Sequence, residues 1–252
     1  GGASAYCHIG VIKYLEKYNK SFQPEYIAGS SSGSIISVFY GAGFTSDMMI
    51  SICKNFKIPT FSGLFSGIYN LYYNYGWIST DIIANIIKHH FGEMTLSEYE
   101  EKYKKKLIIT ACKDFEIEYF ETSNGNHKLY DIVGYSCAFP YIFARRNGYS
   151  DGGIISNFPY SHLSNIIGEK NILVIYIKRT GEFSKKISKN IFEFTINLFN
   201  TLISQNIYET YDKSELKNII IIQTDIKTFD MSMIDEGIKD GYDAAKKYFT
   251  SI

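Results

Sequence analysis

PEYIAGSSSGSIISVFYGAG, residues 24–43, is the stretch on which the reading turns. Pro24 punctuates the chain, Tyr26-Ile27-Ala28 is an apolar run suited to a buried strand, and Ser34–Tyr40 suits a buried helix. Between them, Gly29-Ser30-Ser31-Ser32-Gly33 fits G-x-S-x-G. A serine on a sharp strand-to-helix turn is forced outward, and glycines on either side relieve the crowding. The helix that starts there aims free N–H groups and its positive dipole end at the serine. Ser31 is therefore the candidate nucleophile, with Gly29 and Gly33 as its motif residues. The ordinary alternative is a Gly/Ser turn that merely opens a helix.

Outward from this turn, apolar periodicity predicts helices over Cys7–Tyr18, Thr45–Phe56, Thr80–His90, Leu129–Ala138 and Asp235–Phe249. Thr45 or Ser46 serves as N-cap of the second, with Asp47 in its first turn. Thr95-Leu96-Ser97-Glu98 has capping-box spacing and opens a short charged helix to about Lys104. Leu107–Ala111 and Glu116–Phe120 read as strands. Asn171–Ile177 and Asn218–Gln223 are near-continuous apolar runs, which predicts strands buried on both faces, with a long helix over Lys186–Tyr211 between them. Strands separated by helices predict an α/β protein with a mostly parallel central sheet.

The 252 residues are enough for one sizeable core, and no linker, repeat or low-complexity tract divides them, so one domain is expected. Hydrophobic residues at 45% and charged residues at 21% exclude a disordered chain. Lys+Arg 26 balance Asp+Glu 26, so no nucleic-acid footprint is expected. Cys7, Cys53, Cys112 and Cys137 form no C-x-x-C pair and read as free thiols in a reducing compartment. His8, His89, His90, His127 and His162 make no metal-ligand spacing, and neither a metal nor a cofactor is expected. No signal peptide is visible, which predicts a cytoplasmic location. The uncharged runs Tyr26–Ser46 and Ile58–Thr80 are broken by Gly, Ser or Asn and do not read as membrane spans.

A nucleophilic serine needs a base. Asp151 followed by His162 has the order of an α/β-hydrolase triad, but only one strand precedes the elbow and no HGGG segment occurs, so that fold fits poorly. Three segments together carry a wider pattern: GGASAYCHIGVIKYLEK at 1–17, the elbow segment at 24–43, and YSCAFPYIFARRNGYSDGGIISNFPYSHL at 135–163. In this order, joined by DEGIKDGYDAAKKYF at 235–249, they resemble the patatin-like phospholipases. The resemblance implies a three-layer α/β/α sandwich and a serine acyl hydrolase working through a Ser–Asp dyad without histidine. Ser31 falls on the family's nucleophile, and Asp151, followed by Gly152 and Gly153, on its DGG aspartate. Asp151 must then be desolvated so that its pKa rises toward the working pH, and Ile154, Ile155 and Phe158 are candidates for that apolar surround.

Gly1 and Gly2 match the end of the family's glycine-rich oxyanion loop, which makes backbone N–H groups at Gly1, Gly2 and Ala3, with that of Ser32, the candidate oxyanion donors. Ser4 stands where the family has a cation, and Ala5 where it has a last glycine, so a distorted loop is expected if that backbone needs a positive φ. The family's first glycine and preceding strand fall before Gly1, and an absent upstream strand is expected. The implied substrate is a phospholipid, lysophospholipid or other fatty acyl ester, met by transient membrane-surface contact at a membrane periphery. The oligomeric state stays open. Two alternatives remain at this stage: a weakly active lipid-binding or regulatory protein, and acyl transfer to another alcohol.

The segment Phe56–Thr80 carries Phe61, Phe65, Tyr69, Tyr72, Tyr73, Tyr75 and Trp77 with Lys57 as its only charge. Aromatic rings with polar tips suit a lipid–water boundary. A lid or acyl-chain wall hinged at Gly63, Gly67 and Gly76 is one reading; ordinary packing in a chain with 22 Tyr is the other.

Overall fold

The computed structural model describes residues 2–56, 64–124, 126–156, 159–179, 194, 198, 201, 218–226 and 230–251. Apart from 194, 198 and 201, the expected long helix over 186–211 falls outside the described residues, as do Gly1, Gly63 and Phe158.

The architecture is mixed α/β with mostly parallel strand pairs. Its centre is β3 (Lys106–Lys113), whose body is buried on both faces. β1 (Tyr26–Ser30) runs parallel to it from Tyr26↔Lys106 to Ser30↔Thr110. β4 (Glu116–Glu121) folds back antiparallel on the other edge. β6 (Tyr149–Asp151) is antiparallel and pairs Ala111↔Asp151 to Lys113↔Tyr149. Residues 111–113 of β3 already spend their second edge on β4, so β6 continues the edge that β1 occupies. Two chain segments thus meet nearly end to end beside Thr110 and Ala111, one leaving at Ser30 and one stopping at Asp151.

Alternation along β3 feeds two cores. Leu107, Ile109 and Ala111 face the larger one, built with α1 (Ala5–Tyr18), α2 (Ser32–Gly41), α3 (Ser46–Asn55), α5 (Asp81–Phe91) and α7 (Leu129–Ser136). Ile108 faces the opposite side, with Tyr160 and Leu163 of α9 (Tyr160–Ile167) and with Ile172 and Val174. Helices therefore cover both faces. The closing helix α10 (Ile234–Thr250) packs along α1 and against β8 (Ile219–Thr224), which pairs in parallel with β7 (Val174–Arg179).

The local signals are realised where predicted. The Thr45 hydroxyl accepts from Met48 N–H. Thr95 and Glu98 close a reciprocal capping box on α6 (Leu96–Tyr103). All four cysteines are free. One expectation fails: β8 is not buried on both faces but alternates, with Ile220 and Ile222 inside and Ile221 and Gln223 exposed. An unbroken apolar run satisfies a two-sided burial pattern but does not create a second covering layer.

The 56–80 segment has structure that periodicity did not reveal. It holds a helix, α4 (Leu64–Asn74), and a short strand, β2 (Gly76–Ile78), paired in parallel with β5 (Tyr141–Phe143). Gly67 and Gly76 are points of close contact here. A Cβ at Gly67 would meet the Trp77 ring at 2.3 Å, and one at Gly76 would meet the Phe143 backbone at 2.2 Å.

Candidate active site

Ser31 lies between the last residue of β1 and the first residue of α2, with φ 54 and ψ −133. That region is nearly reserved for glycine and costs on the order of 1–3 kcal/mol for any other residue. The strain persists because three partners hold the residue. Its N–H donates to Ser136 Oγ at 2.8 Å. Its carbonyl accepts from Ser34 Oγ at 2.6 Å. Its own Oγ donates to Asp151 Oδ2 at 2.6 Å.

The flanking glycines are not equivalent. A Cβ at Gly29 would lie 2.6 Å from Gly33 O and 2.5 Å from Ser37 Oγ, so the turn excludes a side chain there. A Cβ at Gly33 would meet nothing within 4 Å, which corrects the expectation of crowding on both sides. The helix leads away from the strand at 33 but folds its first turn back over 29.

Asp151 ends β6 and is 1% exposed. Besides the Ser31 hydroxyl, it accepts the Gly153 N–H on Oδ1 at 2.8 Å. Gly152 sits directly against β3, where a Cβ would be 2.4 Å from Thr110 O. The tight Gly152-Gly153 turn thus turns the chain away while one of its N–H groups fixes the carboxyl rotamer. Burial pushes the Asp151 carboxyl up to about 6 from an ordinary 3.8, and the hydrogen bonds from Ser31 and Gly153 only partly offset it. Ile154 and Ile155, expected to desolvate it, are half-buried. A carboxylate whose pKa lies near 6, in direct contact with a serine hydroxyl, is suited to act as a base near neutral pH.

Gly2, Ala3, Ser31 and Ser32 line one apolar cavity of about 130 Å³, together with Ile36, Ile83, Phe139 and Phe143. Gly2 has φ 64 and begins a short 3-10 turn, Gly2–Ser4, that leads into α1. Ala5 is the first residue of α1 and is not among the residues with positive φ. The expected distortion at Ala5 therefore does not arise, because the helix accepts its Cβ. Ser4 is fully buried in place of the expected cation. Ser30 Oγ, Ser32 Oγ and Thr110 Oγ1 are buried and without a hydrogen-bond partner among the described residues.

Cys53 and Cys137 also line the cavity. Burial pushes both thiols up, Cys53 to about 11, so neither supplies a thiolate to compete with Ser31. The histidines lie elsewhere. His162 pairs with Glu121 and stacks on Tyr119 at 4.0 Å between ring centroids. His8 is held neutral by burial, at about 4, and borders a different cavity. Sequence reading missed Ser136. Its signal was the serine that opens the S-x-A-x-P part of the 135–163 segment.

Among the described residues, no helix is long and apolar enough to cross a membrane. Among solved structures, VipD from Legionella pneumophila superposes with a TM-score of 0.58 at 13% identity, over 100% of this chain and 65% of that one. The type III effector protein ExoU superposes with a TM-score of 0.51 at 11% identity, over 100% of this chain and 52% of that one. The chain thus spans 65% and 52% of these two proteins, and at such identities the likeness speaks for the fold. A family model described as Patatin-like phospholipase matches residues 1–163, from the turn at Gly2 through the elbow to the end of the DGG segment. With that match over well over half of its length, the chain belongs to the patatin-like phospholipase family.

Proposed function

We propose that this protein hydrolyses the carboxylic ester of a phospholipid, lysophospholipid or other fatty acyl ester through a Ser31–Asp151 dyad. The observation that carries the reading is the 2.6 Å bond from Ser31 Oγ to a buried carboxylate at a strained elbow. Asp151 takes the Ser31 proton as Oγ attacks the ester carbonyl. The tetrahedral intermediate collapses, and the departing alcohol receives that proton. Asp151 then takes a proton from water, which attacks the acyl-enzyme, and the fatty acid leaves as Ser31 recovers its hydrogen.

Backbone N–H groups at Gly2, Ala3 and Ser32 are the candidate oxyanion donors, with Gly1 before them. The shared cavity with Ser31 supports this assignment. A donor aimed at the developing oxyanion contributes about 3 kcal/mol. The unpartnered Ser32 hydroxyl is available to the same oxygen or to the leaving group. The apolar wall of Ile36, Ile83, Phe139 and Phe143 suits an acyl chain.

The same reading includes one domain. A core cluster running from Ala3 to Ala245 supports the single domain. A second cavity of about 410 Å³ is bordered by consecutive residues of both β1 and β7. We place the protein at a membrane periphery on the cytoplasmic side, in keeping with its class of substrate.

Intact-mass analysis after a fluorophosphonate probe tests the site. One adduct on the wild type that vanishes in Ser31→Ala, with ester hydrolysis falling by about 10⁴-fold or more, is expected. Equal turnover in the two proteins overturns the dyad. An unlabelled, inactive wild type favours the lipid-binding alternative, and ester products that appear only with an added alcohol favour acyl transfer.

A further inference from the structure

The amphipathicity of α4 is inverted. Its outward face carries Ile68, Tyr69, Tyr72 and Tyr73, which are 52%, 60%, 74% and 61% exposed. Its inward face carries Gly67, Asn70, Leu71 and Asn74, with Gly67 against the Trp77 ring and Asn74 Nδ2 bonded to Asn70 Oδ1 at 3.1 Å. The arc continues past the helix, because Tyr75 is exposed and its carbonyl accepts the N–H of half-exposed Tyr141 at 2.8 Å. A surface helix normally turns these faces the other way, and an apolar face left in water costs free energy unless something apolar meets it.

The chemistry of the patch narrows what meets it. From 64 to 80 the chain has no Asp, Glu, Lys or Arg. Arg145, beside Tyr75, is already engaged, with its guanidinium over the Tyr75 ring and bonded to Gly148 O. Tyrosine offers an apolar ring with a hydroxyl at its tip, which matches the depth where acyl chains give way to headgroups. A surface without cations draws nothing from anionic lipid. The patch is also joined to the site. β2 leaves α4 and pairs with β5 at Ile78↔Phe143, and Phe143 lines the cavity at Ser31.

We propose that the outer face of α4, with Tyr75 and Tyr141, docks on the surface of a zwitterionic phospholipid bilayer and brings the Ser31 cavity to its ester. This inference rests on the proposed acyl-hydrolase reading and names the phase in which that site meets its substrate. Binding is hydrophobic, so it is insensitive to salt and to added anionic lipid.

The test uses the full chain and vesicles of phosphatidylcholine. In a Ser31→Ala background, so that the lipid stays intact, flotation reads binding alone. The expected result is co-flotation that 0.5 M salt or 30% phosphatidylserine changes by less than about twofold. Tyr72→Asp with Tyr73→Asp lowers the bound fraction by about tenfold or more, while the Tyr→Phe pair retains it. With Ser31 intact, the Asp pair leaves turnover of a dispersed short-chain ester within about twofold and lowers turnover of vesicle lipid by about tenfold.

Equal flotation of the Asp pair, flotation only with anionic lipid, or no flotation of any form overturns the inference. A dimer that the Asp pair dissolves, without vesicle binding, also overturns it and makes a second copy the occupant. A wild type inactive on the dispersed ester is a failure of the hydrolase reading, and the flotation arm still decides the docking.

Discussion

The junction at β3 and the aromatic helix α4 treat their awkward residues in opposite ways. At the junction, a strained serine and a buried carboxyl are tolerated because the Ser31 N–H, carbonyl and hydroxyl and both Asp151 carboxyl oxygens have partners: Ser136, Ser34 and Gly153 hold the pair from outside. At α4, Ile68, Tyr69, Tyr72 and Tyr73 are exposed, and the tyrosine rings lean on one another, Tyr69 to Tyr73 at 4.8 Å and Tyr72 to Tyr73 at 4.9 Å. One region has spent its interactions internally and is set for chemistry. The other has kept its apolar surface outward. Strain that is satisfied from within points to a reaction centre, and apolar surface that is not points to an outside contact.

Substitutions separate the two regions. The largest effect is expected at the dyad. Asp151→Asn removes the proton acceptor and lowers kcat by about 10²–10⁴-fold on dispersed and vesicle substrates alike. Its stability moves the other way. The Asp151 pKa is raised on folding to about 6 from 3.8, so the folded state holds a proton that the unfolded state has released. That difference destabilises the native protein progressively as pH rises from about 4 to about 6, and fully above that, by up to about 3 kcal/mol. Denaturant melts above pH 7 are therefore expected to show Asp151→Asn at least as stable as wild type, with the gain absent below pH 4. A variant that loses both activity and stability at pH 8 breaks the reading of Asp151 as a desolvated base.

The same titration predicts the activity profile. The dyad needs the carboxylate form, so kcat/KM falls about tenfold per pH unit below about 6. An acid limb centred near 4 instead would mean that the carboxyl is not desolvated in the working enzyme.

A smaller effect is expected at Ser136. Ser136→Ala leaves the Ser31 N–H buried without an acceptor, which costs about 1–3 kcal/mol. It also loosens the elbow, lowering kcat by about tenfold or more with KM little changed. Because Ser136 acts by positioning Ser31, Ser136→Thr, which keeps the hydroxyl, restores the rate. A loss of stability without any loss of kcat would make Ser136 structural only. The smallest effect is expected far from both regions. Thr95→Ala opens the α6 capping box, costing about 1 kcal/mol in thermal unfolding and nothing in turnover per folded molecule.

The candidate site was partly legible because its elements are local. The Gly29–Gly33 spacing, the DGG turn after Ser150 and the helix after Ser31 are all written within a few residues. β5 and β6 were not legible, since three-residue strands such as Tyr141–Phe143 and Tyr149–Asp151 carry too little periodicity to stand out. Ser136 carries no local mark of its role, because its partner lies 105 positions away.

The sequence by itself determined most of the longer helices and strands, the caps at Thr45 and Thr95, the elbow around Ser31 and the family resemblance. These depend on turn chemistry and on apolar periods over short spans, which a chain carries wherever it folds. Tertiary structure alone decided that β1 and β6 share one edge of β3, so that Ser31 and Asp151 touch across 120 positions. It also decided that α4 turns its tyrosines outward. A 3.6-residue period says that a helix has an apolar face, but only the packing of Gly67 against Trp77 fixes which face meets the protein.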